Sequence, residues 1–189
     1  MNRPGLESAD VLRLLADLED RLSKRGVALD IQIVGGAALL LHGVIYRATE
    51  DIDARYSSAA IVDQVVEEMA AEPGLPSKWL NSNAAAHLPE GMAWVAGPPG
   101  SSKAVRIADL ETLAAMKLAA ERQKDIEDLG LIALVLGIED PAALVRLAYL
   151  KYGQDSLSLN ASPANYLLVA DEAIRSGKFS AGKGGTAGA

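Results

Sequence analysis

Apolar residues at Val11, Leu15, Leu18 and Leu22 recur every three to four positions, the spacing of one buried helix face. Ser8 stands where a cap is needed and Gly26 where a helix stops, so the pattern predicts a helix between them. The period then shortens. Asp30 to Val34 reads as a strand followed by the glycine pair Gly35-Gly36, and Ala37 to His42 as a short apolar helix ending near Gly43. Thr49 to Tyr56 predicts a second strand. Helical spacing returns at Ile61, Val62, Val65, Val66 and Met69, behind a cap from Ser57 or Ser58 and before Pro73-Gly74.

Residues 75–108 read as short strands and turns. Trp79-Leu80 and Met92 to Val95 are strand-like, Gly97-Pro98-Pro99-Gly100 is a turn, and Val105 to Ile107 is a last strand. From Asp109 the pattern is helical, with Asp109, Asp125, Asp140 and Ser162 as caps and with Pro141 and Pro163 at first helical positions. The end from Ser180, small and glycine-rich, reads as a disordered tail. No internal repeat is visible. The expected class is α/β (α+β): a lobe over 1–108 with a small mixed sheet, a helical lobe over 109–177, and a tail over 178–189.

Composition narrows the chemistry. The 189 residues suffice for one core-bearing domain or two small lobes, and half of them are hydrophobic while only 4% are aromatic. Alanine, leucine and valine must therefore fill most of the core. The absence of cysteine excludes disulfides, thiolate zinc sites and cysteine nucleophiles, and two histidines, His42 and His87, argue against a multi-histidine metal site. A net charge of −7 argues against broad, non-specific nucleic-acid binding but leaves room for a local basic groove. The start of the chain carries Glu7 and Asp10 and no apolar signal core, and the longest apolar run, Leu129 to Ile138, is far short of the ~20 residues that span a bilayer. A cytoplasmic protein without a membrane segment is expected.

The densest chemistry lies in Ile33-Val34-Gly35-Gly36 and Arg47-Ala48-Thr49-Glu50-Asp51-Ile52-Asp53. On a strand, Asp51 and Asp53 would project together while Ile52 packs behind them. Two convergent carboxylates suit a hard cation such as Mg2+, which keeps room for substrate phosphates. Backbone N–H groups at a glycine turn suit phosphate itself. Thr49 would share the face of Asp51. Arg47 could pair with a phosphate or neutralise the acids; Arg55 could do the same but is not counted among the site residues. His42, Trp79 and Trp94 read as packing residues, with base stacking as the alternative for the tryptophans; Asn81 and Asn83 read as loop residues within reach of a nucleotide.

The segment Gly35-Gly36 followed by Arg47-x-Thr49-x-Asp51-Ile52-Asp53 resembles the signature of the nucleotidyltransferase fold shared with DNA polymerase β. A second block, residues 109–129, is similar to one branch of that superfamily, the AbiEii branch, which includes toxins such as the MenT group. Its matching features are Lys117 in an apolar helix, Arg122, and the run Lys124-Asp125-Ile126-Glu127-Asp128-Leu129. The resemblance implies that Asp51 and Asp53 bind one or two Mg2+ ions, with Mn2+ as a substitute. It places Gly35, Gly36, Arg47, Thr49 and Lys117 at the nucleotide, with Lys117 also stabilising charge on the leaving pyrophosphate, and Asp125, ahead of Asp128, as a further acid facing the site across a cleft. The chain departs from many relatives at Ala37, which follows the glycines without a hydroxyl, and no third carboxylate is visible on a later strand.

The activity this implies is transfer of a nucleoside monophosphate from NTP to an acceptor hydroxyl, releasing pyrophosphate. The branch suggests a toxin acting on tRNA, with a separate antitoxin as partner; a protein or small-molecule acceptor stays open. A nucleotide- or partner-binding module with little turnover is the rival reading, motivated by Ala37 and the missing third acid. For Lys117 the alternative is a lysine that snorkels to water.

Overall fold

A computed structural model of the chain describes residues 5–72 and 75–184, with side chains as far as residue 180. Helix α1 spans Ser8–Ser23 and buries Val11, Leu14, Leu15, Leu18 and Leu22. Its cap is Glu7 rather than the expected Ser8. The Glu7 carboxylate accepts from the first turn and Asp10 accepts from the Glu7 N–H at 3.2 Å, a reciprocal box that leaves Ser8 inside the helix.

Strand β1, Ile31–Ile33, leads directly into α2, Gly35–Leu41. The glycine pair is thus the first turn of the helix, two residues earlier than expected, because Gly35 adopts the left-handed φ of +65° that turns the chain. Strand β2, Ile52–Tyr56, is shorter than the Thr49–Tyr56 expected. Thr49 instead forms an isolated antiparallel bridge with Leu6, and Asp51 lies between that bridge and the strand. Helix α3 covers Ala59–Ala70 and follows Ser58, which is left-handed (φ 54°) and makes no side-chain cap. The Pro73-Gly74 stop lies outside the described residues. Strand β3 is Leu80–Asn81, β4 Trp94–Ala96 and β5 Val105–Ala108, with a short 3-10 turn at Asn83–His87.

The sheet runs in the order β3-β2-β1-β5-β4 and is mixed. Strands β1 and β5 are parallel, as are β2 and β3, whereas β1 with β2 and β4 with β5 are antiparallel. Register separates its two faces, because directly paired residues point the same way. Ile31, Ile33, Ile52, Ala54, Val105 and Ile107 are buried on one face. Gln32, paired with both Arg55 and Arg106, and Asp53, paired with Asn81, share the other.

Helices α4 (Leu110–Ala120), α5 (Gln123–Leu136), α6 (Pro141–Tyr152) and α7 (Pro163–Gly184) follow. Asp109 and Asp140 cap α4 and α6 as expected, accepting from Thr112 N–H at 2.7 Å and Ala142 N–H at 2.9 Å. Asp125 does not cap. It lies in the first turn of α5, whose cap position is Arg122. Residues 178–184, expected in the tail, continue α7, and residues 185–189 lie outside the described set. The chain divides into two compact units, Met1–Ala86 with Trp94–Ala108, and His87–Ala93 with Asp109–Ala189. Among the described residues no helix is long and apolar enough to cross a membrane.

Within the second unit α5 and α7 meet backbone to backbone at Gly130 and Gly177. A Cβ at Gly130 would fall inside van der Waals contact with the Ala173 carbonyl oxygen, and one at Gly177 would strike the Gly130 carbonyl. Gly130→Ala is therefore expected to lower stability by about 1–2 kcal/mol, since overpacking against backbone costs ~2–3 kcal/mol, the upper part of the usual range, and the helix propensity gained returns only ~1 kcal/mol. Thermal unfolding checks this, with the midpoint falling by roughly 2–8 °C.

Candidate active site

Asp51 and Asp53 flank the fully buried Ile52, and Ala54 is buried behind them, while both carboxylates stay half-buried on the polar sheet face. The alternation expected of a strand thus holds for the acid pair even though Asp51 precedes the strand proper. Asn81 donates from Nδ2 to Asp51 Oδ2 at 2.9 Å, and its Oδ1 accepts from Asn83 N–H at 3.0 Å. One buried amide therefore reaches from β3 to orient the first carboxylate. It was expected in a loop; the two-residue strand Leu80–Asn81 is too short for a period to reveal it.

The glycine pair packs on this acid cluster. The Val34 N–H donates to the Asp53 carbonyl at 2.9 Å, bringing the end of β1 beside the start of β2. A Cβ at Gly35 would lie 3.3 Å from Asp53 Oδ2, and one at Gly36 would lie 3.1 Å from Thr49 Oγ1. The missing side chains make room for a carboxylate and a hydroxyl. Thr49 is buried and donates from Oγ1 to the Asp51 carbonyl at 3.1 Å, which fixes the chain just before the first acid. Arg47 is half-buried two residues upstream. The structure thus gathers Gly35, Gly36, Thr49, Asp51 and Asp53 in the first unit.

Lys117 and Asp125 lie in the second unit, and there they meet. The Lys117 ammonium is buried, 2.6 Å from Asp125 Oδ1 and 2.8 Å from Asp128 Oδ2, and the Arg122 Nε donates to the other oxygen of Asp125. Lys117 therefore neither snorkels nor presents a bare cation: it ties α4 to α5 through two buried carboxylates. Burial pushes the Asp125 carboxyl up, but hydrogen bonds from Arg122 and Lys117 outweigh it and hold the group below the ordinary 3.8. Asp109 is committed as well, since the oxygen not used in its cap lies 3.4 Å from the Lys151 ammonium.

The remaining candidates have partners within the fold. His42 donates from Nε2 to the Ala108 carbonyl at 2.8 Å, and Trp79 is fully buried with its indole N–H toward the Val66 carbonyl at 3.4 Å. Trp94 is half-buried on the polar sheet face beneath Arg55.

A divalent cation at Asp51 and Asp53 would meet only oxygen donors, with Asn81 already holding one carboxylate in place. That donor set fits a hard ion such as Mg2+, which takes one or two carboxylates and leaves its other positions to water and phosphate. Among the described residues no group of three or more acidic or imidazole side chains gathers to form a metal cage.

Residues 9–142 match the family model described as a nucleotidyltransferase of unknown function (DUF6036), and the chain belongs to that family. No curated protein and no solved structure matched it.

The helical ion cluster generates two expectations. Lys117→Met leaves two buried carboxylates without their shared ammonium and should cost about 3–5 kcal/mol in urea unfolding. The depressed pKa of Asp125 means that the unfolded state binds more protons there than the native state. Its contribution is complete above 3.8 and is lost as pH falls below that value. Unfolding free energies measured from pH 2.5 to 7 should fall less steeply at the acid end in Asp125→Asn than in the wild type.

Proposed function

We propose that this member of a nucleotidyltransferase family transfers a nucleoside monophosphate from NTP to an acceptor hydroxyl, using Mg2+, or Mn2+ in its place, at Asp51 and Asp53. The observation that carries the reading is the pair of carboxylates on one half-buried sheet face, set directly against the Gly35-Gly36 turn. When bound, the ion supplies charge neutralisation at the triphosphate and a more acidic acceptor hydroxyl. The chain's own residues do the positioning. Asn81 orients Asp51, and Thr49 fixes the backbone that presents it. The glycine turn lets phosphate oxygens approach main-chain N–H groups, and the resemblance would bring Arg47 to the nucleotide.

The likeness of residues 31–56 and 109–129 to the AbiEii branch supports a finer reading, a toxin that modifies tRNA and is restrained by an antitoxin. On that reading Lys117 would leave its carboxylates to hold the triphosphate. The pairing of Lys117 with Asp125 and Asp128 favours a second reading, a nucleotide- or partner-binding module with little turnover.

Incubation of the purified chain with each labelled NTP, Mg2+ and total tRNA or cell lysate separates these readings. Label is expected in RNA with the wild type, and at least 100-fold less with Asp51→Asn or Asp53→Asn. Label on protein or on a small molecule moves the acceptor. No label, with NTP still raising the melting temperature, supports the binding module. Growth arrest on expression should vanish in Asp51→Asn; arrest that persists would remove the catalytic basis of toxicity.

A further inference from the structure

Arginines among the described residues are mostly engaged by acids, as Arg21 is by Asp17 and Glu72, Arg106 by Asp30 and Arg122 by Asp125. Arg55 is not. It is exposed on β2, and no carboxylate reaches it among the described residues, in a chain of net charge −7. Its side chain is nevertheless fixed. Nε donates at 2.7 Å to Oε1 of the buried Gln32, its cross-strand partner, and the guanidinium carbon lies 5.5 Å from the centroid of the Trp94 ring. The two Nη groups have no hydrogen-bond partner among the described residues. An arginine held at Nε and over an indole has already lost much of its rotamer freedom, so a ligand that takes the Nη pair need not order it again.

Position gives this guanidinium its meaning. Arg55 and Asp53 share a strand face two residues apart, about 7 Å along β2. The antiparallel register puts Ile33 opposite Ala54 and Gln32 opposite Arg55, so the Gly35-Gly36 turn lies beyond Asp53 in one direction and Arg55 in the other. In-line phosphoryl chemistry separates the attacking oxygen and the leaving pyrophosphate to opposite sides of the reacting phosphorus. With the triphosphate tail at the glycine turn, the acceptor enters from the Arg55 side.

We propose that Arg55, braced by Gln32 and Trp94, holds a backbone phosphate of a single-stranded RNA acceptor. The Nη pair offers the bidentate donor fork that phosphate accepts, and a guanidinium layered on an indole offers a plane on which a base stacks. The surrounding acidity confines the contact to one or two phosphates. The proposal rests on the transfer reaction proposed above and deepens it, but its test does not require turnover.

The full chain is titrated into a fluorescently labelled single-stranded oligoribonucleotide and followed by anisotropy at several salt concentrations, for wild type, Arg55→Ala and Arg55→Lys. Each variant's melting temperature is measured with and without Mg-NTP. The wild type should bind with a shallow salt dependence, a log–log slope of about −0.7 per phosphate engaged. Arg55→Ala should weaken binding at least 10-fold and Arg55→Lys by less, with both variants folded and the shift in melting temperature produced by NTP unchanged. Absence of RNA binding by the wild type, equal binding by Arg55→Ala, or loss of the NTP shift in Arg55→Ala would each overturn the assignment. Failure of the transfer reading is distinct: the oligonucleotide binds in an Arg55-dependent way but never acquires label.

Discussion

The space of two missing β-carbons governs the first unit. Gly35 and Gly36 form the turn from β1 into α2, and the Asp53 carboxylate and Thr49 hydroxyl occupy the volume that side chains there would contest. Everything else at the site refers to that contact. The Val34–Asp53 backbone bond and the β1–β2 register bring the acids to the turn, Ile52 and Ala54 anchor the strand from the core side, and Asn81 steadies Asp51 from the neighbouring strand. An alanine at Gly35 would also have to hold a φ of +65°, where a β-carbon is strained. Packing and backbone geometry therefore select the same residue, and they do so at the point where phosphate would approach.

The second unit is organised by charge. Lys117 sits between Asp125 and Asp128 in a buried cluster that Arg122 closes at its edge. Buried ion pairs return little net stability relative to well-packed apolar groups, yet removing one member strands the others, so loss of a single charge would weaken the α4–α5 contact. Its cation is engaged by two carboxylates rather than waiting for a ligand.

The parts of this arrangement that obey local rules were readable from the chain. The helical spacing of α1 and α3, the caps at Asp109 and Asp140, and the acid pair with its glycine turn all follow from periodicity or from the backbone demands of one residue. What escaped depends on partners distant in sequence. Asn81 meets Asp51 across 30 positions through a strand of two residues. From the chain alone Arg55 reads as a charge near an acid pair, because Gln32 and Trp94, which brace it, come from two other strands. Asp125 had two readings, cap or site acid, and the structure gave a third, because only the α4–α5 packing reveals its bond to Lys117. The strand expected from Thr49 begins at Ile52 because Leu6, 43 residues upstream, draws Thr49 into a separate bridge.

Whether Asp51 and Asp53 together form a metal-nucleotide site can be read directly by Mn2+ electron paramagnetic resonance, with and without a non-hydrolysable NTP analogue. The wild type is expected to sequester Mn2+ more tightly when the nucleotide is present, and Asp53→Asn, still folded, to weaken this at least 10-fold. Equal Mn2+ binding by wild type and Asp53→Asn in the presence of nucleotide would contradict that site.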